Sequence, residues 1–225
     1  MGSVFPDPNN ADENGIVASG GNFSSQLLIE AYKKGIFPWP HEGHPKLWFS
    51  PDPRGVIYTN KLHLSKSLKK WIRRNPLAIA YNKSFDEVIK ECKSQPRKGQ
   101  DGTWITDDLE EGYRNFHHQG FAYSAEAYQE GKLVAGLYGV MMGGFISAES
   151  MFHRTDNASK ALLYLFLRDM EHRGVTLVDC QMLTPTTEAL GGTYISRNEF
   201  LMALKPLTMK KKPILQGFSS KDVEL

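Results

Sequence analysis

Two carboxylates and one amide stand where the chain otherwise reads as buried strand. Glu149 lies in Ala148-Glu149-Ser150-Met151-Phe152, and Asp179 and Gln181 lie in Leu177-Val178-Asp179-Cys180-Gln181. A buried acid is costly unless it is paired or put to use. Between the two runs lies an intensely apolar segment, 157–173. Two acids bracketing one apolar helix point to a reaction centre beside a hydrophobic side-chain pocket. A strand's period of two puts Leu177, Asp179 and Gln181 on one face, with Val178 and Cys180 on the other. Asp179 and Gln181 are therefore expected side by side, spaced to act on one substrate atom. The plainer reading of Asp179 is a structural acid capping a neighbouring loop. Cys180 reads as a small buried apolar residue rather than a nucleophile.

The elements that must position these groups follow from pattern. Residues 1–22 are rich in Pro, Asn, Asp and Gly and read as extended loop. Ser24 is placed to cap a helix that Gly35 ends, and five prolines between residues 38 and 53 argue for rigid loop before a short strand at 55–59. The spacing predicts helices over 65–74, 84–93 and 106–118, a strand over 77–81, and a mobile-looking loop over 94–102. From 121 to 150 the pattern alternates, giving strands near 121–128, 132–141 and 145–150. Asn157 is placed to cap the apolar helix and Gly174 to end it. A strand over 175–181, a short helix near 186–190, a strand at 193–195 and a helix near 198–204 complete the chain. This order predicts an α+β layer on a mixed sheet, with a weakly marked boundary near residue 60.

Bulk composition narrows the classes. With 225 residues and 40% apolar content the chain can bury a full core. Its 27 Lys+Arg against 25 Asp+Glu leave a net charge of +2, so a nucleic-acid partner has to be met by a local patch. Cys92 and Cys180 do not form a disulfide framework and suggest a reducing, cytoplasmic setting. Neither a signal peptide, a myristoylation site nor a membrane span is apparent. Cys/His spacing does not suggest zinc, and no Walker or dinucleotide loop appears. His117 and His118 are adjacent on a helix and so diverge.

Three further constellations have a functional and a bland reading. At helical pitch Lys66, Lys69, Lys70, Arg73 and Arg74 share one face, opposite Leu68, Trp71 and Ile72. An ordinary solvated face is the bland alternative, but the purity of sign favours a phosphate backbone. Trp39 and Trp104 sit in loop-like settings and suit base stacking, or they seal an interface. The helix start at Asn157-Ala158-Ser159-Lys160 offers free N–H groups beside a lysine, an anion site or simply a good cap.

These residues resemble the leucyl/phenylalanyl-tRNA–protein transferases of bacteria, over about residues 20–204. The likeness is carried by Tyr32-Lys33-Lys34-Gly35-Ile36-Phe37-Pro38-Trp39, Trp48-Phe49-Ser50-Pro51-Asp52-Pro53-Arg54, Gly102-Thr103-Trp104-Ile105, Gly136-Leu137-Tyr138-Gly139-Val140, Glu149-Ser150-Met151-Phe152, Asn157-Ala158-Ser159-Lys160 and Asp179-Cys180-Gln181. Seven ordered blocks are far more specific than any one.

The resemblance implies a small N-terminal domain, 1–60, and a GNAT-like acyltransferase domain, 61–225. It implies transfer of Leu or Phe, less often Met, from charged tRNA to an N-terminal Lys or Arg, creating an N-degron, without a cofactor or metal. By motif Glu149, Asp179 and Gln181 match the catalytic centre, and Trp39 and Trp104 match the positions holding the terminal adenosine. Leu137, Ile146, Met151, Phe166, Met170 and Val178 would line the aminoacyl pocket. Lys66, Lys70, Arg73 and Arg74 match the tRNA-binding patch. The partners implied are aminoacyl-tRNA and the N-termini of acceptor proteins; separately, the apolar runs are too short for a membrane partner, and a monomer is expected.

The chain departs from the family's pattern at Thr184 and Thr186, where many relatives carry Asn and His, at Tyr123 for His, and at Met170 for an aromatic. Two other acceptor or donor readings stay open: an acidic acceptor N-terminus, and a GNAT-type acyl-CoA N-acetyltransferase. Against the latter, the 153–157 loop lacks glycines for a pyrophosphate. A non-catalytic RNA-binding module is the third rival.

Overall fold

The structure, a computed structural model, describes residues 4–40, 43, 45–95 and 103–225. In chain order it begins with β1 (Ile16–Ser19), α1 (Ser25–Lys33), β2 (Phe37–Pro38), β3 (Leu47–Phe49) and β4 (Arg54–Tyr58). There follow α2 (Lys66–Arg74), β5 (Ala78–Tyr81), α3 (Phe85–Ser94) and α4 (Asp107–His118). Three long strands come next, β6 (Ala122–Gln129), β7 (Lys132–Met142) and β8 (Phe145–His153). Then come α5 (Ala158–His172), β9 (Leu177–Gln181), α6 (Pro185–Ala189), β10 (Thr193–Ile195), α7 (Arg197–Met209) and β11 (Phe218–Ser219).

The strands form two sheets, one ordered β1-β3-β2 and one ordered β10-β4-β9-β8-β7-β6-β5-β11. Within the larger sheet only β8 and β9 run parallel, so α5 serves as the crossover that a parallel pair requires. That pairing is brief, Ile146 with Val178 and Ser147 with Asp179. Beyond it β8 continues to His153 without β9, and a gap opens between the two strands.

The mixed α+β sheet agrees with the expected fold class. Three expectations are corrected. Residues 1–22, read as loop, contain β1, and the proline-rich stretch contains β2 and β3. Pro38 is tolerated because β2 is an edge strand, whose outward N–H is not needed. The final helix runs to Met209, beyond Pro206, rather than ending at 204. The expected loop over 94–102 starts within α3 at Ser94 and from residue 96 onward lies outside the described residues. Strand β4, which a boundary at residue 60 assigns to the N-terminal unit, pairs with β9 and β10 inside the larger sheet.

Two apolar layers flank that sheet. On one face α1, α3, α4 and α7 pack with the small sheet around Trp48, Phe116, Phe145 and Phe200. On the other, α5 buries Leu162, Leu165, Phe166 and Leu167 completely. Each such leucine contributes about 1.5–3 kcal/mol when removed from water. The second cover that this all-apolar helix requires comes from α2 and the segment 215–225, through Leu68, Ile72, Leu215, Phe218 and Val223. No helix among the described residues is long and apolar enough to cross a membrane.

Candidate active site

A cleft of about 570 Å³ opens where β8 and β9 part. Glu149, Gln181, Trp39 and Trp104 all line it, together with Leu137, Ala148, Met151, Leu163 and Cys180. Both tryptophans are half-buried, and Trp39 packs edge-on against Phe49 at 5.6 Å. Met182, Leu183, Thr184, Thr186 and Thr187 form one wall.

Asp179 does not reach this space. It is fully buried on the opposite side of β9, where Arg54 Nε donates to its Oδ1 (2.8 Å) and Arg54 Nη2 to its Oδ2 (2.7 Å). The side-by-side projection expected from strand alternation fails at one residue. Gln181 has φ +63°, and Met182 N–H donates to the Cys180 carbonyl at 2.6 Å, closing a γ-turn around Gln181. That conformation costs a residue with a Cβ about 1–2 kcal/mol. It is held by the Gln181 N–H, which donates to Asp179 Oδ1 at 2.9 Å. The turn also needs a glycine across the sheet, because a Cβ on Gly55 would lie 2.9 Å from the Met182 carbonyl carbon. Asp179 thus acts on Gln181 through the backbone, and the turn swings Gln181 and Cys180 into the same cleft.

The Gln181 side chain is oriented by Glu149. Its Nε2 donates to Glu149 Oε2 at 2.8 Å, so its Oε1 is the amide atom left for a ligand, with no hydrogen bond among the described residues. Glu149 also accepts from Ser147 Oγ (2.6 Å) and Tyr113 OH (3.3 Å), and Tyr113 OH bonds in turn to Tyr32 OH. Burial pushes the Glu149 carboxyl above the usual carboxylate range, against the downward pull of the bonds from Ser147 and Gln181. Burial likewise raises the Tyr113 and Tyr32 hydroxyls far above their ordinary range, so both stay protonated donors. Cys180, with its thiol pushed up by burial and then by the Asp179 charge, is inert.

Of the six residues that the resemblance assigns to an apolar slot, the structure brings two to the cleft. Leu137 and Met151 line the cleft, but Ile146, Phe166, Met170 and Val178 are each fully buried in the core between α5 and the sheet. The residues found at the floor are displaced from them by one repeat: Leu163 by a helical turn from Phe166, Cys180 and Ala148 by one strand repeat from Val178 and Ile146. A motif identifies the element but not the depth at which a cleft stops.

On α2, Ser65 caps the helix through Leu68 N, and Lys66, Lys70, Arg73 and Arg74 are exposed. Among the described residues none of the four has a carboxylate within ion-pair distance. Lys69 is diverted from the face, its Nζ donating to the Leu225 carbonyl at 2.6 Å. At the start of α5, Asn157 is left-handed (φ +66°) and its side chain makes no capping bond. That helix start does not line the cleft.

Sequence reasoning missed Arg54, Ser147, Tyr113, Tyr32 and Leu163. Ser147 was findable, because it precedes Glu149 by one strand repeat. Arg54, within a proline-glycine frame at the start of a buried strand, was a buried charge in need of an acid.

Comparison with known proteins places the chain in a family. A family model described as leucyl/phenylalanyl-tRNA protein transferase matches residues 56–205, and a second, described as the N-terminal domain of that transferase, matches residues 21–52. The chain is similar to the leucyl/phenylalanyl-tRNA–protein transferase of Pectobacterium carotovorum subsp. carotovorum (strain PC1), with 46% identity over 89% of this chain and 85% of that protein. It is 44% identical to that of Myxococcus xanthus (strain DK1622), over 95% of this chain and 91% of the relative. Among solved structures, L-PGS from Bacillus licheniformis aligns at TM-score 0.43 and 14% identity, covering 86% of this chain and 63% of that chain.

Proposed function

Since this chain belongs to the leucyl/phenylalanyl-tRNA–protein transferase family of aminoacyltransferases, we propose that its cleft moves a leucyl or phenylalanyl group, less readily a methionyl group, from charged tRNA to the α-amine of an acceptor protein beginning with Lys or Arg. The carrying observation is the composition of one cleft: two half-buried tryptophans, an apolar floor, and an amide oriented by a buried carboxylate. In this reading Trp39 and Trp104 hold the terminal adenosine by stacking. The aminoacyl side chain lies over Leu137, Met151, Leu163 and Cys180, and Gln181 Oε1 faces the incoming amine.

The donor ester is already activated, and an unperturbed α-amine has a pKa of about 7.7–8.0. The main task is therefore to bring amine and carbonyl to about 3–3.5 Å. The amine nitrogen bonds to the ester carbon, the bond from that carbon to the ribose oxygen breaks, and the amine's proton ends on that oxygen, directly or through water. Gln181 Oε1 accepts a hydrogen bond from the amine. An amide is too weak a base to keep the proton. Asp179, neutralised by Arg54, contributes orientation rather than dispersal of the charge forming on nitrogen. Glu149 organises Gln181. The product carries a new N-terminal Leu or Phe, which serves as a degradation signal.

The GNAT-like character of the larger unit belongs to the same proposal. It is supported by three antiparallel strands, a helical crossover, and a parallel pair that parts over the cleft. The two-unit division is kept, with the boundary moved to the Pro51–Pro53 stretch ahead of β4. Cys92 and Cys180, both buried, suit a reducing cytoplasm; we take the enzyme to be a monomer.

A panel of peptides differing only in the first residue, each supplied with Leu-tRNA and Phe-tRNA, tests this. Lys- and Arg-first peptides are expected to accept. Preference for Asp or Glu would replace the acceptor half of the reading, and transfer from acyl-CoA but not from tRNA would replace the donor half. Binding of charged tRNA is expected to weaken steeply with salt. Replacing Lys66, Lys70, Arg73 and Arg74 together by Gln should lower the magnitude of the log K against log salt slope by about three, measured by filter binding. An unchanged slope would remove α2 from the tRNA interface.

A further inference from the structure

The aminoacyl-transfer reading leaves the most deeply buried cation among the described residues without a role of its own. The Arg54 side chain is 1% exposed, with Nε and Nη2 on Asp179 and Nη1 on the Gly35 carbonyl at 3.0 Å. Its guanidinium carbon lies 4.8 Å from the ring centre of Phe37 and 4.4 Å from that of Phe200. These partners come from the turn after α1 and from β2, β9 and α7. Two of them lead straight into the cleft. Asp179 Oδ1 holds the N–H of Gln181. Phe37 is followed by Pro38 and Trp39, and all three line the cleft.

We propose that Arg54 is a positioning residue, which sets the Gln181 amide and the Trp39 platform in one register so that amine and ester carbonyl meet. The proposal rests on the aminoacyl-transfer reading. Stability alone is a poor explanation of this pair, because apolar residues of like volume often serve a buried site as well or better. Geometry explains it. A guanidinium is a planar fork that fixes both oxygens of a carboxylate and still offers a third nitrogen and two faces. Lysine would neutralise Asp179 but could not hold its plane. Once that plane rotates, Oδ1 leaves the Gln181 N–H, and the left-handed turn loses its support. A shift near 1 Å at a reacting group costs about 100-fold in rate.

The test follows Leu and Phe transfer to the best acceptor peptide for the wild type, for Arg54→Lys, and for the double variant Arg54→Met/Asp179→Asn, in which neither buried charge remains. Folding is checked by circular dichroism and melting. Arg54→Lys is expected to keep KM for charged tRNA within about threefold, since in the proposed reading phosphate contacts on α2 carry most of that affinity, while kcat falls about 100-fold. The double variant is expected to melt close to the wild type with a similar loss of kcat. A merely structural role would lower the folded fraction and leave kcat per folded molecule, and the KM-to-kcat split, unchanged. A kcat within about threefold of wild type in either folded variant overturns the proposal. Absence of transfer by the wild type with every peptide overturns the underlying reading instead.

Discussion

Gln181→Ala should reduce turnover of charged tRNA about 100-fold while leaving KM for the tRNA nearly unchanged. In the proposed reading the amide supplies no binding energy to the tRNA body, which phosphate contacts on α2 would hold. What is lost is the acceptor that orients the amine, a group whose value is geometric and appears in kcat. A 100-fold loss corresponds to about 2.7 kcal/mol of transition-state stabilisation. Gln181→Glu is the informative companion. It restores an acceptor oxygen, but it sets a second carboxylate against Glu149 where a 2.8 Å hydrogen bond now stands. Two acids at that distance cannot both ionise, so one is held protonated. The pair then turns over slowly, with a new dependence on pH that the wild type lacks. Single-turnover rates on Leu-tRNA measure both variants, and near-normal turnover by Gln181→Ala would remove Gln181 from the reaction.

Asp179→Ala should cost about 3–5 kcal/mol of folding free energy, because it leaves the Arg54 guanidinium buried without a counter-ion. A domain's entire margin is only about 5–15 kcal/mol. For a chain of this size the loss corresponds to a fall in melting temperature of roughly 6–20 °C. The backbone is affected too, since the Gln181 N–H loses its acceptor and the strained γ-turn loses its clamp. Calorimetry separates this from a purely catalytic effect, which would leave the melting temperature in place. A shift smaller than about 2 °C would mean that the pair is replaced by water or by a shift of the strand, and the buried clamp would have to be abandoned.

Much of this architecture could be read from the chain. The alternation through β6, β7 and β8, the apolar helix α5 and the cationic face of α2 are local patterns, and period alone assigns them. Glu149 and Gln181 were joined by strand pattern, motif likeness added Trp39 and Trp104 to the same site, and the four do line one cleft. The β1–β3 strands escaped because each is four residues or fewer and rich in loop-forming types. The four deep pocket residues escaped because burial depth is a property of the packed molecule.

The amino-acid order thus specifies which face each strand and helix turns to the core, and where acids and cations fall along it, because those depend on repeat lengths of a few residues. What it leaves open is decided by partners far apart in the chain. Arg54 meets Asp179 across 125 positions. Gly55 makes room for a left-handed Gln181, and Leu225 draws Lys69 off the cationic face. A rule of alternating faces assumes an unbroken strand. Here the ion pair and the glycine opposite favour breaking it at Gln181, which lines the cleft, and that preference exists only once the two strands lie side by side.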